Sequence, residues 1–177
     1  MVEDIQPAAA SRQGLGITPL GWGAYALAAV VVALDQLSKY WVLEVLRLPD
    51  RPPLQVLPIF QLTMVWNQGV SFNLLRAESG LGRWALVIFA LIVVGALAVW
   101  ARGVRRPLMA VALGLVMGGA IGNNLIDRVR FGAVADFLYF HALFFPWVFN
   151  LADSAISVGV VLLLADSFVR PKIAPGA

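Results

Sequence analysis

The chain has 177 residues, 60% of them hydrophobic and only 13% charged, about half the charged share of a soluble domain. Its net charge of +3 is spread over basic residues at the flanks of apolar runs, so it lacks the clustered basic face that nucleic acid requires. There is no cysteine and a single histidine, His141, which excludes thiolate metal sites, disulfides and a multi-histidine centre within one chain; no metal and no cofactor are expected.

The composition is that of a mainly α, integral membrane protein of one domain. A tail of about 20 residues, broken by Pro7, Gly14, Gly16 and Pro19, reads as loose. The first apolar run, about residues 22–46, is uncharged from Ala24 to Leu34 and then meets Asp35. It leads into DQLSKYW and not into a small-residue cleavage site, so it is expected to stay as an anchor. Residues 48–82 are too many for a turn. Here LQVLPIFQLTMVW runs into Asn67-Gln68-Gly69 and then VSFNLL, which predicts a small hairpin lying on the outer membrane face. The second span, about 84–100, carries Trp84 and Trp100 at its ends, as interfacial belts prefer. The third covers about 107–126 and the fourth about 150–169. Each of the four approaches the roughly 20 apolar residues that cross a bilayer.

Four crossings leave both termini on one side. The short RGVRR connection (Arg102, Arg105, Arg106), with Arg170 and Lys172, argues that this side is cytoplasmic. Arg47, Arg51, Arg76, Arg83, Arg128 and Arg130 lie on the other side and leave the raw count balanced.

Ionisable groups within spans cost about 2.5–3.5 kcal/mol each on insertion scales, so they are paired or functional. Asp166 stands four residues before Arg170, the spacing of a surface pair on a helix. Asp35 and Lys39 share that spacing and read as a structural pair with a supporting role open. Asp127 beside Arg128 reads either as a helix-end ion pair or as part of a site. Asp136 and Asp153 have no basic residue three or four positions away. They read either as an N-cap and a loop acid, or as two carboxyls sharing a low-dielectric site, one protonated and one charged. Such a pair activates a water with its base and protonates a leaving group with its acid.

Asn67, Asn123, Asn124 and Asn150 fall at the same membrane face as these acids and suit orienting a carboxylate or holding a peptide backbone. Gly118, Gly119 and Gly122 read as close helix packing. His141 reads as an interfacial loop residue. Phe144, Phe145, Trp147 and Phe149 read as interface anchors first and a lipid-contacting wall second.

Four motifs in order, DQLSK at 35–39, NQGVSF at 67–72, GGAIGNNLIDRVRFGAVADF at 118–137 and FNLADSAI at 149–156, resemble the lipoprotein signal peptidase family over most of the chain. The resemblance implies an intramembrane-facing aspartyl endopeptidase of the bacterial inner membrane. Such an enzyme removes signal peptides from prolipoproteins just before a diacylglyceryl-modified cysteine. By motif position, Asp136 and Asp153 would be the catalytic pair. Asn67, Asn123, Arg128 and Asn150 would position substrate or pair, Asp127 would support Arg128, and Asp35 and Lys39 would be mainly structural. Partners would be the lipid-modified substrate and membrane lipids, with the chain a monomer, its termini cytoplasmic and its site near the extracytoplasmic face. A proton-coupled transporter and a non-enzymatic assembly protein are the rival classes. The first would need acids forming a path across the membrane; the second would not need them at all.

Overall fold

The computed structural model describes residues 16–69, 80–141 and 146–168. Among them, four helices are long and apolar enough to cross a membrane. Helix α1 (Pro19–Tyr40) begins at Thr18, whose hydroxyl accepts the N–H of Gly21 at 3.0 Å and donates to the carbonyl of Val104 at 2.7 Å. Its backbone N–H bonds Arg102 as well, so the expected loose tail is already pinned at residue 18. Beyond Tyr40 the helix widens into a π-helical turn, Trp41–Val45. Helix α2 (Gly80–Arg102) has 23 residues, a length of about 34 Å.

Helix α3 (Pro107–Ala120) starts with proline at its first position, where the missing N–H costs nothing. It continues as a π-helical stretch, Ile121–Asp127, and a short α4 (Arg128–Phe131). The third crossing therefore runs on to Phe131, and Asn123, Asn124, Asp127 and Arg128 are helical residues. Gly132, at φ 79°, ends α4 in the left-handed conformation that glycine adopts freely and turns the chain into a strand. Helix α5 (Leu151–Phe168) is the fourth crossing.

Small residues set the helix packing. Helix α3 lies between α1 and α5, and a Cβ on Gly118 would meet Val31 Cβ at 2.6 Å. One on Gly119 would strike the Ala152 carbonyl and Ile156. These contacts, with Ala24, Ala28, Ala110 and Leu113 in the core, let backbones approach where burial from water supplies no drive. Large apolar side chains face outward instead, among them Ile88, Phe89 and Ile92 of α2 and Val161 and Leu164 of α5.

Among the described residues, four strands form one antiparallel sheet, in the order β1 (Leu54–Leu57), β2 (Phe60–Asn67), β3 (Val134–Tyr139), β4 (Val148–Phe149). Among the described residues a hairpin reverses at Pro58–Ile59, with Leu57 opposite Phe60, upstream of the Asn67–Gly69 turn that the sequence suggested. Proline presets the φ of a turn's second position, and that local preference wins here. The second half of the expected hairpin, 70–75, lies outside the described residues. Strand β2 pairs instead with β3, which follows the third span, so half the sheet comes from outside residues 48–82. Phe137 and Leu62 pack with Val42 and Leu48 and fasten the sheet to the end of α1.

Candidate active site

The polar residues gather where α1, the α3 extension and α5 meet beneath β2 and β3. Register puts Val65 opposite Asp136 and Asn67 opposite Val134, so Asn67 and Asp136 are diagonal neighbours on one face of the sheet. The Asn67 amide donates to Asp136 Oδ2 at 3.1 Å. Its oxygen is occupied by the N–H of Gly69 at 3.2 Å, which decides which end faces the acid.

Asn150 is the hub. It precedes α5 and accepts the N–H of Asp153 on its side-chain oxygen at 2.9 Å, while Asp153 Oδ2 accepts the N–H of Asn150 at 3.1 Å. This reciprocal pair is a capping box, with an acid where glutamate is usual. The Asn150 amide then donates to Asp136 Oδ1 at 2.7 Å. One fully buried side chain thus joins both aspartates. The helix cap, which the sequence offered to Asp153, belongs to Asn150, and Asp153 is free to present Oδ1 to the Asn123 amide at 2.7 Å.

Behind the aspartates lies a buried ionic cluster. Lys39 Nζ stands 2.7 Å from Asp35 Oδ2, 2.7 Å from Asp127 Oδ2 and 2.7 Å from Asn123 Oδ1. Asp35 also accepts the N–H of Ala152 at 3.2 Å, and Asp127 that of Ala135 at 3.2 Å. The cluster therefore ties α1, the α3 extension, β3 and α5 together at the level of the aspartates. Removing one partner of a buried pair costs about 3–5 kcal/mol, because the other charge is left without compensation.

The expected Asp127–Arg128 partnership differs. Asp127 pairs with Lys39, while Arg128 donates to Asn124 Oδ1 at 3.0 Å and to the carbonyl of Gln68 at 3.3 Å. Residues adjacent on a helix point about 100° apart, so neighbours in sequence are poorly placed to pair. Asp166 is buried and takes Arg106 Nη1 at 2.7 Å, at the opposite end of the bundle from the aspartates. Arg170 lies outside the described residues, as do Phe144 and Phe145. His141 is exposed beside Tyr139, and Trp147 is exposed too. Gln36 was not singled out, yet it bridges Asp35 Oδ2 at 3.1 Å and Asp127 Oδ1 at 2.9 Å. A polar residue next to Asp35 within an apolar span was the signal.

Burial, and then the charge of Asp153, push the Asp136 carboxyl up from 3.8 to about 7, against the hydrogen bonds from Asn67 and Asn150. The folded chain thus holds a proton that the unfolded chain has released, and stability falls as pH rises from about 4 to about 7. Asp136→Asn removes that penalty. Thermal unfolding in detergent should show a raised midpoint at pH 8 and no gain at pH 4; a gain independent of pH would refute this.

Four crossings with carboxylates buried at one end define a multi-pass membrane protein carrying an acidic polar site. The family model for signal peptidase II matches residues 27–169. The lipoprotein signal peptidase of Caulobacter vibrioides is 57% identical over 158 residues, 89% of this chain and 94% of its own. That of Methylorubrum extorquens is 49% identical over 150 residues, 84% of this chain and 86% of its own. Two solved bacterial membrane enzyme structures, obtained in meso, are also similar. One has a TM-score of 0.71 at 25% identity, covering 91% of this chain and 98% of its own. The other has 0.72 at 26% identity, covering 88% and 97%. The chain belongs to the signal peptidase II family, a family of peptidases.

Proposed function

We propose that the chain removes the signal peptide from bacterial prolipoproteins as an aspartyl endopeptidase, cutting before the diacylglyceryl-modified cysteine. The observation that carries this reading is the Asn150 side chain, hydrogen-bonded at once to the carboxyl of Asp136 and the backbone of Asp153. Asp136 and Asp153 are the catalytic pair. One, ionised, takes a proton from water. The water attacks the scissile carbonyl, and the other protonates the departing amine. No covalent intermediate forms.

Two carboxyls in mutual reach, Asp136 buried and Asp153 half-buried, do not both ionise readily, so one proton is shared between them near neutral pH. Asn67, Asn123 and Asn150 hold the carboxyls in place. Arg128, held against the Gln68 carbonyl, positions the β2 end where substrate backbone would lie. The apolar outward faces admit the substrate's lipid and signal helix laterally from the bilayer. The termini are cytoplasmic, the sheet and the aspartates are at the extracytoplasmic face, and the chain acts as a monomer.

The test is cleavage of a synthetic diacylglyceryl-modified precursor by the purified chain in lipid nanodiscs. Mass spectrometry should find one cut, on the N-terminal side of the modified cysteine. Activity should survive chelators, thiol reagents and serine-directed reagents, since the chain has no cysteine and one histidine. No cleavage, or loss of activity to a chelator, would overturn the reading.

A further inference from the structure

We propose that Lys39 is a positioning residue for the aspartate pair: its ammonium fixes the Asn123 amide that faces Asp153 and supplies the positive charge beside the two carboxyls. The proposal rests on the two-aspartate reading above. A lysine serving only to hold helices together needs its two carboxylates, Asp35 and Asp127. This one spends its third N–H elsewhere. An ammonium has three donors, and the third goes to Asn123 Oδ1 at 2.7 Å.

The two ends of an asparagine amide are nearly the same size, so hydrogen-bond partners decide which way it faces. Lys39, together with the Asn150 amide at 3.0 Å, holds the oxygen of Asn123 inward. The nitrogen of Asn123 then points at Asp153 Oδ1. Asn150 in turn reaches Asp136. The lysine charge is therefore one amide from Asp153 and two from Asp136, without touching either. It is buried, and so are Asp35, Asn123, Asp127 and Asp136, while Asp153 is half-buried. Asp35 faces it from α1, Asn123 and Asp127 from the α3 extension, Asp153 from α5 and Asp136 from β3. Among the described residues, Arg128 is the other cation within reach of the pair. In so dry a site a charge at this distance is weakly screened and bears directly on how easily a carboxyl ionises.

The experiment compares the nanodisc-held chain with Lys39→Met, and with Lys39→Met/Asp127→Asn, which removes one charge of each sign should the single variant not fold. Loss of the ammonium should lower kcat by about tenfold or more with KM little changed. The acid limb of the kcat/KM profile should move up by about one pH unit, because ionisation of the pair becomes harder. Asp35→Asn keeps the ammonium and its bond to Asn123, so it should lower the thermal midpoint and give no upward move of that limb. A folded Lys39 variant with the parent's acid limb overturns the proposal. The same upward move in Asp35→Asn, or failure of both Lys39 variants to fold, also overturns it and leaves Lys39 structural. Asp136→Asn and Asp153→Asn run alongside: activity in either refutes the two-aspartate reading itself, whereas their inactivity beside a parent-like Lys39 variant refutes only this proposal.

Discussion

Asp136→Asn and Asp153→Asn should each stop cleavage of lipid-modified precursor, with kcat down by at least the roughly 10²–10⁴-fold that a positioned acid or base contributes. Neither change should unfold the chain. An asparagine at 136 still accepts the Asn150 amide on its oxygen, and one at 153 still accepts the N–H of Asn150, while the new NH2 gives up the bond from Asn67 or Asn123. The shape of the site persists, and what disappears is the proton. An amide neither takes a proton from water nor returns one to an amine, so a pair with one amide has lost half its cycle. The pairing with the stability prediction is informative. Asp136→Asn is expected to be dead and yet more stable at pH 8, since the buried carboxyl that costs folding energy is the one that does the work. Precursor accumulation in cells depleted of the parent protein and complemented by the variants gives the readout. Normal processing by either variant sinks the pair.

The second large effect lies in the packing that holds the pair. Gly119→Ala should lower thermal stability by about 1–3 kcal/mol and reduce activity in parallel. A methyl there would meet the carbonyl of Ala152 and lie 2.6 Å from Ile156 Cγ1. The carbonyl belongs to helix backbone and cannot turn aside, so α3 and α5 must separate. Ala152 immediately precedes Asp153, and Asn123 is one turn beyond Gly119, so separation lengthens the Asn123–Asp153 bond. Gly95→Ala in α2 is the control, because its methyl would meet nothing within 4 Å. There alanine should be neutral or slightly stabilising, by up to about 1 kcal/mol. Equal melting behaviour of the two variants would contradict this account of the bundle.

What could be read from the sequence follows from the physics of each signal. The four crossings are legible because a span needs a long apolar run, which composition alone reveals. The end of the third is not. Asn123, Asn124, Asp127 and Arg128 look like the end of a span, yet buried partners on α1 and β3 keep the chain helical to Phe131. Strand β3 hides for a related reason: its first four residues are all buried, so it lacks the alternation that marks a half-buried strand. The Pro58–Ile59 reversal has a local signal in its proline, whereas the pairing of β2 with β3, far along the chain, has none. Asp166 has a partner that local spacing does not reveal. Its partner, Arg106, is 60 residues away, beyond any helical periodicity. The acids and asparagines, by contrast, were legible as a group. Each is an expensive residue near the same end of a span, and cost is visible without knowing the fold.

In the proposed mechanism two carboxyls drive a water against a peptide bond with no acyl-enzyme. The direct measurement is one turnover of diacylglyceryl-modified precursor by the nanodisc-held chain in ¹⁸O-water, quenched early and read by intact-mass spectrometry. One ¹⁸O should appear in the new carboxylate of the released signal peptide, and the protein's mass should stay unchanged at every time point. Protein carrying the added mass of the signal peptide would contradict it.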